Sequence, residues 1–203
     1  MGRFQRDTWG LDYIDLFPVA LEYIKPSKLQ YPAWWMDAVH ERVSVAKVPI
    51  METWQAMEAL VDEGVCRSIG VSNFSTQLLY DVISYARHPI SSLQIEHHPY
   101  LVQSQLIQMA QEEGIVVTGY STFGPQSFLE LPPAFRKRAA DVPMLFDSSI
   151  IKKIAEKHGR SAGQVLLRWA TQRYFQSPLP LKHRFAHLIT LMINIDFATE
   201  ESR

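Results

Sequence analysis

Short apolar runs alternate with amphipathic segments through the middle of the chain. The runs cover residues 67–71, 93–96 and 115–119, are rich in β-branched side chains, and end in polar residues. This alternation predicts strands separated by helices, which is typical of a parallel sheet. Ligands bind at the carboxyl ends of such strands. The candidate binding residues at these ends are Ser72, Asn73, Gln94, Glu96, Tyr120 and Ser121.

The flanking segments extend the same pattern. Residues 2–9 resemble the end of a helix, and Leu11–Phe17 predicts a further strand. Apolar residues at helical spacing predict helices over residues 50–63 and 103–113. Three further helices are predicted to begin at a cap, which is Ser75 for the first, Ser148 or Ser149 for the second, and the capping box of Ser161 and Gln164 for the third.

Two long segments lack a sustained period. Residues 18–49 contain four prolines and the pair Trp34 and Trp35, and residues 122–147 form the second segment. Loops of this length in a compact domain are usually functional. Trp34 and Trp35 either wall a pocket or pack on neighbouring helices, and the sequence leaves both interpretations open.

Composition narrows the class of protein. The 203 residues are 47% hydrophobic and 20% charged, with a net charge of −1, which is typical of a globular protein. The charge predicts neither a nucleic-acid partner nor an anionic membrane partner. Since apolar runs are too short for a membrane span and the start lacks a signal-peptide core, a cytoplasmic location is expected.

The cysteine and histidine content does not favour a metal site. Cys66 is the only cysteine, so an internal disulfide is excluded, and an inert thiol is the expected state. His97 and His98 are adjacent and would face opposite sides of an extended chain, so they are not expected to chelate one ion.

Three motifs in order resemble the aldo-keto reductases, and in particular their fungal xylose (aldose) reductase branch. They are Ile-Gly-Val-Ser-Asn-Phe at 69–74, Leu-Gln-Ile-Glu-His-His-Pro-Tyr at 93–100, and Tyr-Ser-Thr-Phe-Gly-Pro-Gln-Ser at 120–127. The resemblance implies an α/β fold that is part of a (β/α)₈ TIM barrel, about strands four to seven with their helices. It also implies NADPH- or NADH-dependent reduction of aldehydes and ketones without metal or flavin. Residues 1–173 would form this partial barrel, and residues 174–203 a divergent tail.

The resemblance also assigns roles to individual positions. Ser72, Asn73 and Gln94 match the residues that hold the nicotinamide carboxamide, and Asn73 would also lie near the substrate. Tyr120 matches the aromatic residue that stacks on the nicotinamide. Trp34 and Trp35 are the candidate substrate contacts. The loop that closes over the pyrophosphate and adenosine is matched by Ser121, Phe123, Pro125, Gln126, Ser127 and Glu130.

Other positions depart from the family pattern. No residue matches the catalytic Asp, Tyr, Lys and His, so no catalytic residue is assigned and activity of this chain alone is not expected. Lys182 is the candidate match for the lysine that binds the adenosine phosphate, but His183 stands where the family has serine, so the choice between NADPH and NADH stays open.

Two functions follow from this pattern. One is a reductase whose parental substrate is an aldose or small aldehyde. The other is a non-catalytic nucleotide-binding, regulatory or interaction protein derived from the family. The four predicted strands are fewer than the eight of a closed barrel, so self-association through open sheet edges is expected.

Overall fold

A parallel sheet with helical crossovers forms the centre of the fold. The computed structural model describes residues 2–19, 36–37, 42–43, 47–124 and 141–174. The strands are β1 (Ile14–Val19), β2 (Met36–Asp37), β3 (Arg42–Val43), β4 (Cys66–Ser72), β5 (Ser92–Glu96) and β6 (Val116–Tyr120). The helices are α1 (Gly2–Thr8), α2 (Ile50–Asp62), α3 (Thr76–Tyr85), α4 (Ser104–Glu112), α5 (Ser149–Lys157) and α6 (Ala162–Tyr174).

The main sheet has the strand order β1-β4-β5-β6. β1 runs parallel to β4, from the pair Ile14 and Cys66 to the pair Val19 and Val71. β4 runs parallel to β5, where Gly70 pairs with Ser92. Helices α2, α3 and α4 alternate with these strands along the chain. The predicted α/β class is therefore confirmed, with four parallel strands and their helices as in part of a TIM barrel.

The first strand begins and ends later than predicted. It covers Ile14–Val19 instead of Leu11–Phe17, so Pro18 lies inside the strand and pairs with Gly70. Proline is tolerated there because β1 is an outer strand of the described sheet. Within the long loop predicted over residues 18–49, β2 and β3 form a short antiparallel pair that the sequence did not indicate.

The predicted starts of three helices are confirmed by their N-terminal caps. Ser75 accepts a hydrogen bond from the Leu78 N–H, and Ser148 caps α5. Ser161 and Gln164 form the predicted reciprocal capping box, with distances of 3.0 and 3.2 Å. These local signals mark where α3, α5 and α6 begin.

The described residues form two compact units. The first contains those up to Ile95 together with Gln105–Thr118, and the second contains Glu96–Ser104 together with those from Gly119 onward. The buried apolar residues of the first unit include Trp54, Ile69, Val71, Leu79, Val82, Leu93, Ile95 and Ala110. The core of the second contains Leu145, Ile151, Ala155, Val165 and Leu166.

A buried carboxylate joins α2 to the turn before β5. Glu58 is 2% exposed and accepts hydrogen bonds from the main-chain N–H groups of Arg87 (2.6 Å) and His88 (3.0 Å). Burial by itself raises the pKa of Glu58, but these two N–H donors and the nearby Arg87 guanidinium together hold that pKa below its ordinary value. Asp62, one turn further along α2, pairs with the same two residues at the surface. This contact fixes the chain as it enters β5.

None of the described helices is long and apolar enough to cross a membrane.

Candidate cofactor site

The three predicted carboxamide ligands lie on neighbouring strands, where the end of β4 stands beside the middle of β5. Ser72 pairs in register with Gln94, and the Asn73 N–H donates to the Gln94 carbonyl at 2.8 Å. Ser72 is buried, Gln94 is half-buried and Asn73 is exposed. The first unit therefore gathers a hydroxyl and two amides at one edge of its sheet, where they supply both hydrogen-bond donors and acceptors.

The backbone of Asn73 turns sharply after the strand. Its φ is 61°, in the left-handed region that asparagine enters more readily than most residues. This bend lets the Asn73 N–H reach the neighbouring strand, where it donates to the Gln94 carbonyl. Asparagine therefore suits this position in two ways. Its backbone adopts the left-handed conformation readily, and its side-chain amide fits the predicted ligand role.

Gly70 brings the two strands close enough for this arrangement. A Cβ atom at Gly70 would stand 2.7 Å from the Ser92 carbonyl oxygen. A hydrogen bond of 2.9 Å from the Ser91 N–H to the Ile69 carbonyl holds the same crossing point. Sequence reasoning missed this role, although an isolated glycine inside a strand is a known signal for close backbone approach.

Tyr120 and Ser121 occupy the end of β6 in the second unit. The Tyr120 carbonyl accepts a hydrogen bond from the His97 N–H at 3.0 Å. Ser121 has a φ of 52°, so this strand also ends in a left-handed residue. Its carbonyl accepts from the Gly124 N–H at 2.8 Å, which closes a tight turn. The predicted nicotinamide platform thus precedes an ordered turn.

Phe123 lies in that turn and is 41% exposed. Its ring contacts Phe146, with centroids 5.2 Å apart. Of the predicted cofactor loop, Pro125, Gln126, Ser127 and Glu130 lie outside the described residues, as do Trp34 and Trp35 and Lys182. Of the tail predicted at 174–203, only the backbone of Tyr174 is described, as the last residue of α6.

The segment after β5 is held by its own polar side chains. His98 is 3% exposed and its Nε2 lies 3.0 Å from Glu96 Oε1. The Gln103 amide donates to the Glu96 carbonyl at 2.6 Å, and His98 pairs through its backbone with Leu101. These contacts give residues 96–103 a defined path.

His97 has different partners from His98. Its ring is fully buried and stacks on Trp169 of α6, with centroids 4.7 Å apart and planes 21° from parallel. Burial lowers the pKa of His97 to about 4, and the Arg173 and His98 charges add to that effect although a hydrogen bond with the Val102 backbone opposes it. At neutral pH the ring is therefore uncharged. The sequence-based prediction did not identify Trp169, since a tryptophan at helical spacing reads as core.

Cys66 begins β4 and is 2% exposed. Burial raises the pKa of its thiol, which keeps the sulfur protonated and weakly nucleophilic.

Comparison with known proteins shows the family of this chain. The chain matches the aldo/keto reductase family over residues 4–192 and belongs to it. It is 50% identical to the probable NAD(P)H-dependent D-xylose reductase xyl1 of Emericella nidulans, over 99% of this chain and 62% of that protein. It is 54% identical to the protein of the same name in Aspergillus fumigatus, over 84% of this chain and 54% of that protein. The NAD(P)H-dependent D-xylose reductase xyl1 of Aspergillus niger is 52% identical, over 84% of this chain and 53% of that protein. The chain thus spans between half and two thirds of the length of these relatives.

Proposed function

We propose that the strand-end residues bind the nicotinamide end of NADPH or NADH. The reaction proposed for the family branch to which the chain belongs is the reduction of an aldose such as xylose, or of a small aldehyde, to the alcohol. Family membership supports the reaction class, and the names of the relatives support the cofactor and the substrate class. The cofactor would supply the hydride, and the protein would bind and orient it.

The juxtaposition of Ser72, Asn73 and Gln94 carries this proposal. A carboxamide offers one carbonyl acceptor and one NH₂ group with two donors, so its site needs groups of both kinds. The amides of Asn73 and Gln94 provide both, and the Ser72 hydroxyl can do either. The 2.8 Å hydrogen bond from Asn73 N–H to the Gln94 carbonyl holds these positions on adjacent strands. The donor set therefore fits the group that it is proposed to bind.

The rest of the site completes the proposal. Tyr120 would present its ring to one face of the nicotinamide, and Asn73 would also contact the substrate. Ser121, Phe123, Pro125, Gln126, Ser127 and Glu130 would close over the pyrophosphate and adenosine. Trp34 and Trp35 would line the substrate pocket.

We further propose that the 203-residue polypeptide on its own binds the cofactor with little turnover. By resemblance to the family, none of its residues matches the Asp, Tyr, Lys and His that perform the chemistry. A positioned general acid alone contributes about 10²- to 10⁴-fold in rate. Absorbance of NADPH followed with and without xylose measures turnover directly.

Cofactor binding tests the proposed site. Fluorescence titration with NADPH and NADH should show saturable binding, and Tyr120→Ala should weaken it by about 1–3 kcal/mol through lost stacking and apolar contact. Tyr80→Ala is the matched control, because Tyr80 is 50% exposed on α3 and is no part of the site. Absence of binding by the unaltered chain would refute the proposed function. Equal affinities of the two variants would refute only the role of Tyr120.

A non-catalytic interaction protein is the second candidate function. Two apolar side chains on the outer strands of the described sheet favour it, Leu16 on β1 at 40% exposure and Val116 on β6 at 49%. Outer strands with exposed apolar residues promote pairing with another chain, and the partner proposed here is a second copy. Sedimentation should then show a dimer or larger species, and a monomer at micromolar concentration would argue against it. Turnover of xylose would argue against a non-catalytic protein.

A further inference from the structure

A stack of three side chains joins α6 to the segment that follows β5. The buried His97 ring lies on the Trp169 indole, and the Arg173 guanidinium carbon stands 4.3 Å from the centroid of the same indole. Trp169 and Arg173 are four residues apart and therefore share one side of α6. An Arg173 hydrogen bond to the Trp169 carbonyl, at 3.4 Å, also keeps the arginine at this position.

The backbone of His97 connects this stack to the end of β6. Its N–H donates to the Tyr120 carbonyl at 3.0 Å, immediately before the left-handed Ser121. The neighbours of His97 are also held, because Glu96 accepts from the Gln103 amide and pairs with His98. A displacement of His97 would therefore also displace its hydrogen bond to the Tyr120 carbonyl.

We propose that Trp169 is a positioning residue, which acts through His97 to hold the backbone of Tyr120 in the place from which its ring would receive the nicotinamide. This inference rests on the proposed function of Tyr120. Trp169 itself need not touch the cofactor. Its contribution is to hold the buried His97 ring in one stacked position, which keeps the residue beside the Tyr120 carbonyl to which its N–H donates.

The stack restricts the His97 ring more than packing against aliphatic side chains would. A flat imidazole against a flat indole at 4.7 Å fixes both the position and the tilt of the histidine. An aliphatic side chain in place of Trp169 could fill space, but it would permit several ring tilts. The loss should therefore fall on the nicotinamide end of the cofactor, because only that end depends on Tyr120.

The test compares cofactors with fragments that lack nicotinamide. The 203-residue chain and its Trp169→Leu variant are titrated with NADPH and NADH, and with ADP-ribose and 2′-phospho-ADP-ribose. Trp169→Leu should lower the affinity for the complete cofactors about tenfold, equal to about 1.4 kcal/mol, and leave the affinities for the fragments within about twofold. Trp169→Phe, which keeps a ring against His97, should restore most of the loss. Trp9→Leu is the matched control, because Trp9 is 59% exposed after α1.

A double-mutant cycle separates positioning from general destabilisation. In a Tyr120→Ala background, Trp169→Leu should change NADPH affinity by less than about twofold, because the residue through which it acts has been removed. Independent effects of the two changes would overturn the inference, as would equal losses for cofactor and fragment. If Trp169→Leu does not unfold cooperatively, Trp169→Met replaces it, since methionine keeps much of the apolar volume without the ring. If the unaltered chain binds NADPH no better than its fragment, the proposed function itself fails.

Discussion

Glu58 should be the most costly single polar side chain to remove from the first unit. It is 2% exposed, and its carboxylate accepts two main-chain N–H groups in the turn that leads into β5. In Glu58→Ala both donors lose their acceptor, and the methylene groups of the side chain leave a small void. Glu58→Gln keeps one acceptor oxygen and most of the volume.

The expected loss follows from the two hydrogen bonds. Each bond to a charged acceptor contributes about 1.5–3 kcal/mol, and the cost of burying the carboxylate offsets part of their sum. We expect Glu58→Ala to lower the free energy of unfolding by about 2–4 kcal/mol and Glu58→Gln by about 1–2 kcal/mol. Arg87→Ala should cost much less than Glu58→Ala, because it leaves the Arg87 N–H in place and removes only an exposed guanidinium.

Urea unfolding at pH 7 measures these losses as shifts of the midpoint at constant slope. Glu52→Ala is the control, since Glu52 lies on the same helix and is exposed. A Glu58→Ala loss no larger than that of Glu52→Ala would refute the reasoning. Because the folded pKa of Glu58 is depressed, its contribution is complete above its ordinary pKa of 4.5 and is lost as the pH falls below that value. Glu58→Gln should flatten that acid limb.

Three further changes test the strand crossing, a helix cap and the buried histidine. In thermal melts, Gly70→Ala should destabilise the chain by about 1–3 kcal/mol, because the added Cβ would stand 2.7 Å from the backbone of the adjacent strand. Gly163→Ala is the control and should be neutral or stabilising, because its Cβ would meet nothing closer than 3.6 Å. Ser161→Ala should cost about 1 kcal/mol in urea unfolding by breaking the capping box, and Ser149→Ala, at an exposed position after the cap, less than about 0.5 kcal/mol. His97 has a folded pKa of about 4 against an ordinary 6.5, so its contribution is complete above pH 6.5 and is lost as the pH falls to about 4; His97→Gln should flatten the unfolding profile between these values.

The helices were predictable because their signals are local. The Ser75 hydroxyl and the Ser161 box lie within three residues of the groups that they cap, so the printed sequence contains the whole interaction. Apolar residues at helical spacing likewise identify the buried faces of α2 and α3. For these elements, periodicity and capping suffice.

The first strand shows where local rules stop. Pro18 normally argues against a strand, but its effect depends on whether a neighbour needs its missing N–H. β1 is an outer strand of the described sheet, and that fact exists only once the strand order is known. The sheet order therefore overrode the local preference of one residue.

In the candidate site, too, some features follow from the sequence and others only from the fold. Residue type, position and the family resemblance make Ser72, Asn73, Gln94 and Tyr120 candidate ligand residues, because polar groups at the ends of parallel strands suit ligand binding. What holds them was not visible, since the Gly70 approach to Ser92 and the His97 stack on Trp169 join positions far apart in sequence. Candidate ligand residues can thus be proposed from the sequence around them, whereas the groups that hold them in place are found only in the fold. Positioning residues such as Trp169 should accordingly be sought in the structure, among buried contacts that end on a proposed ligand residue.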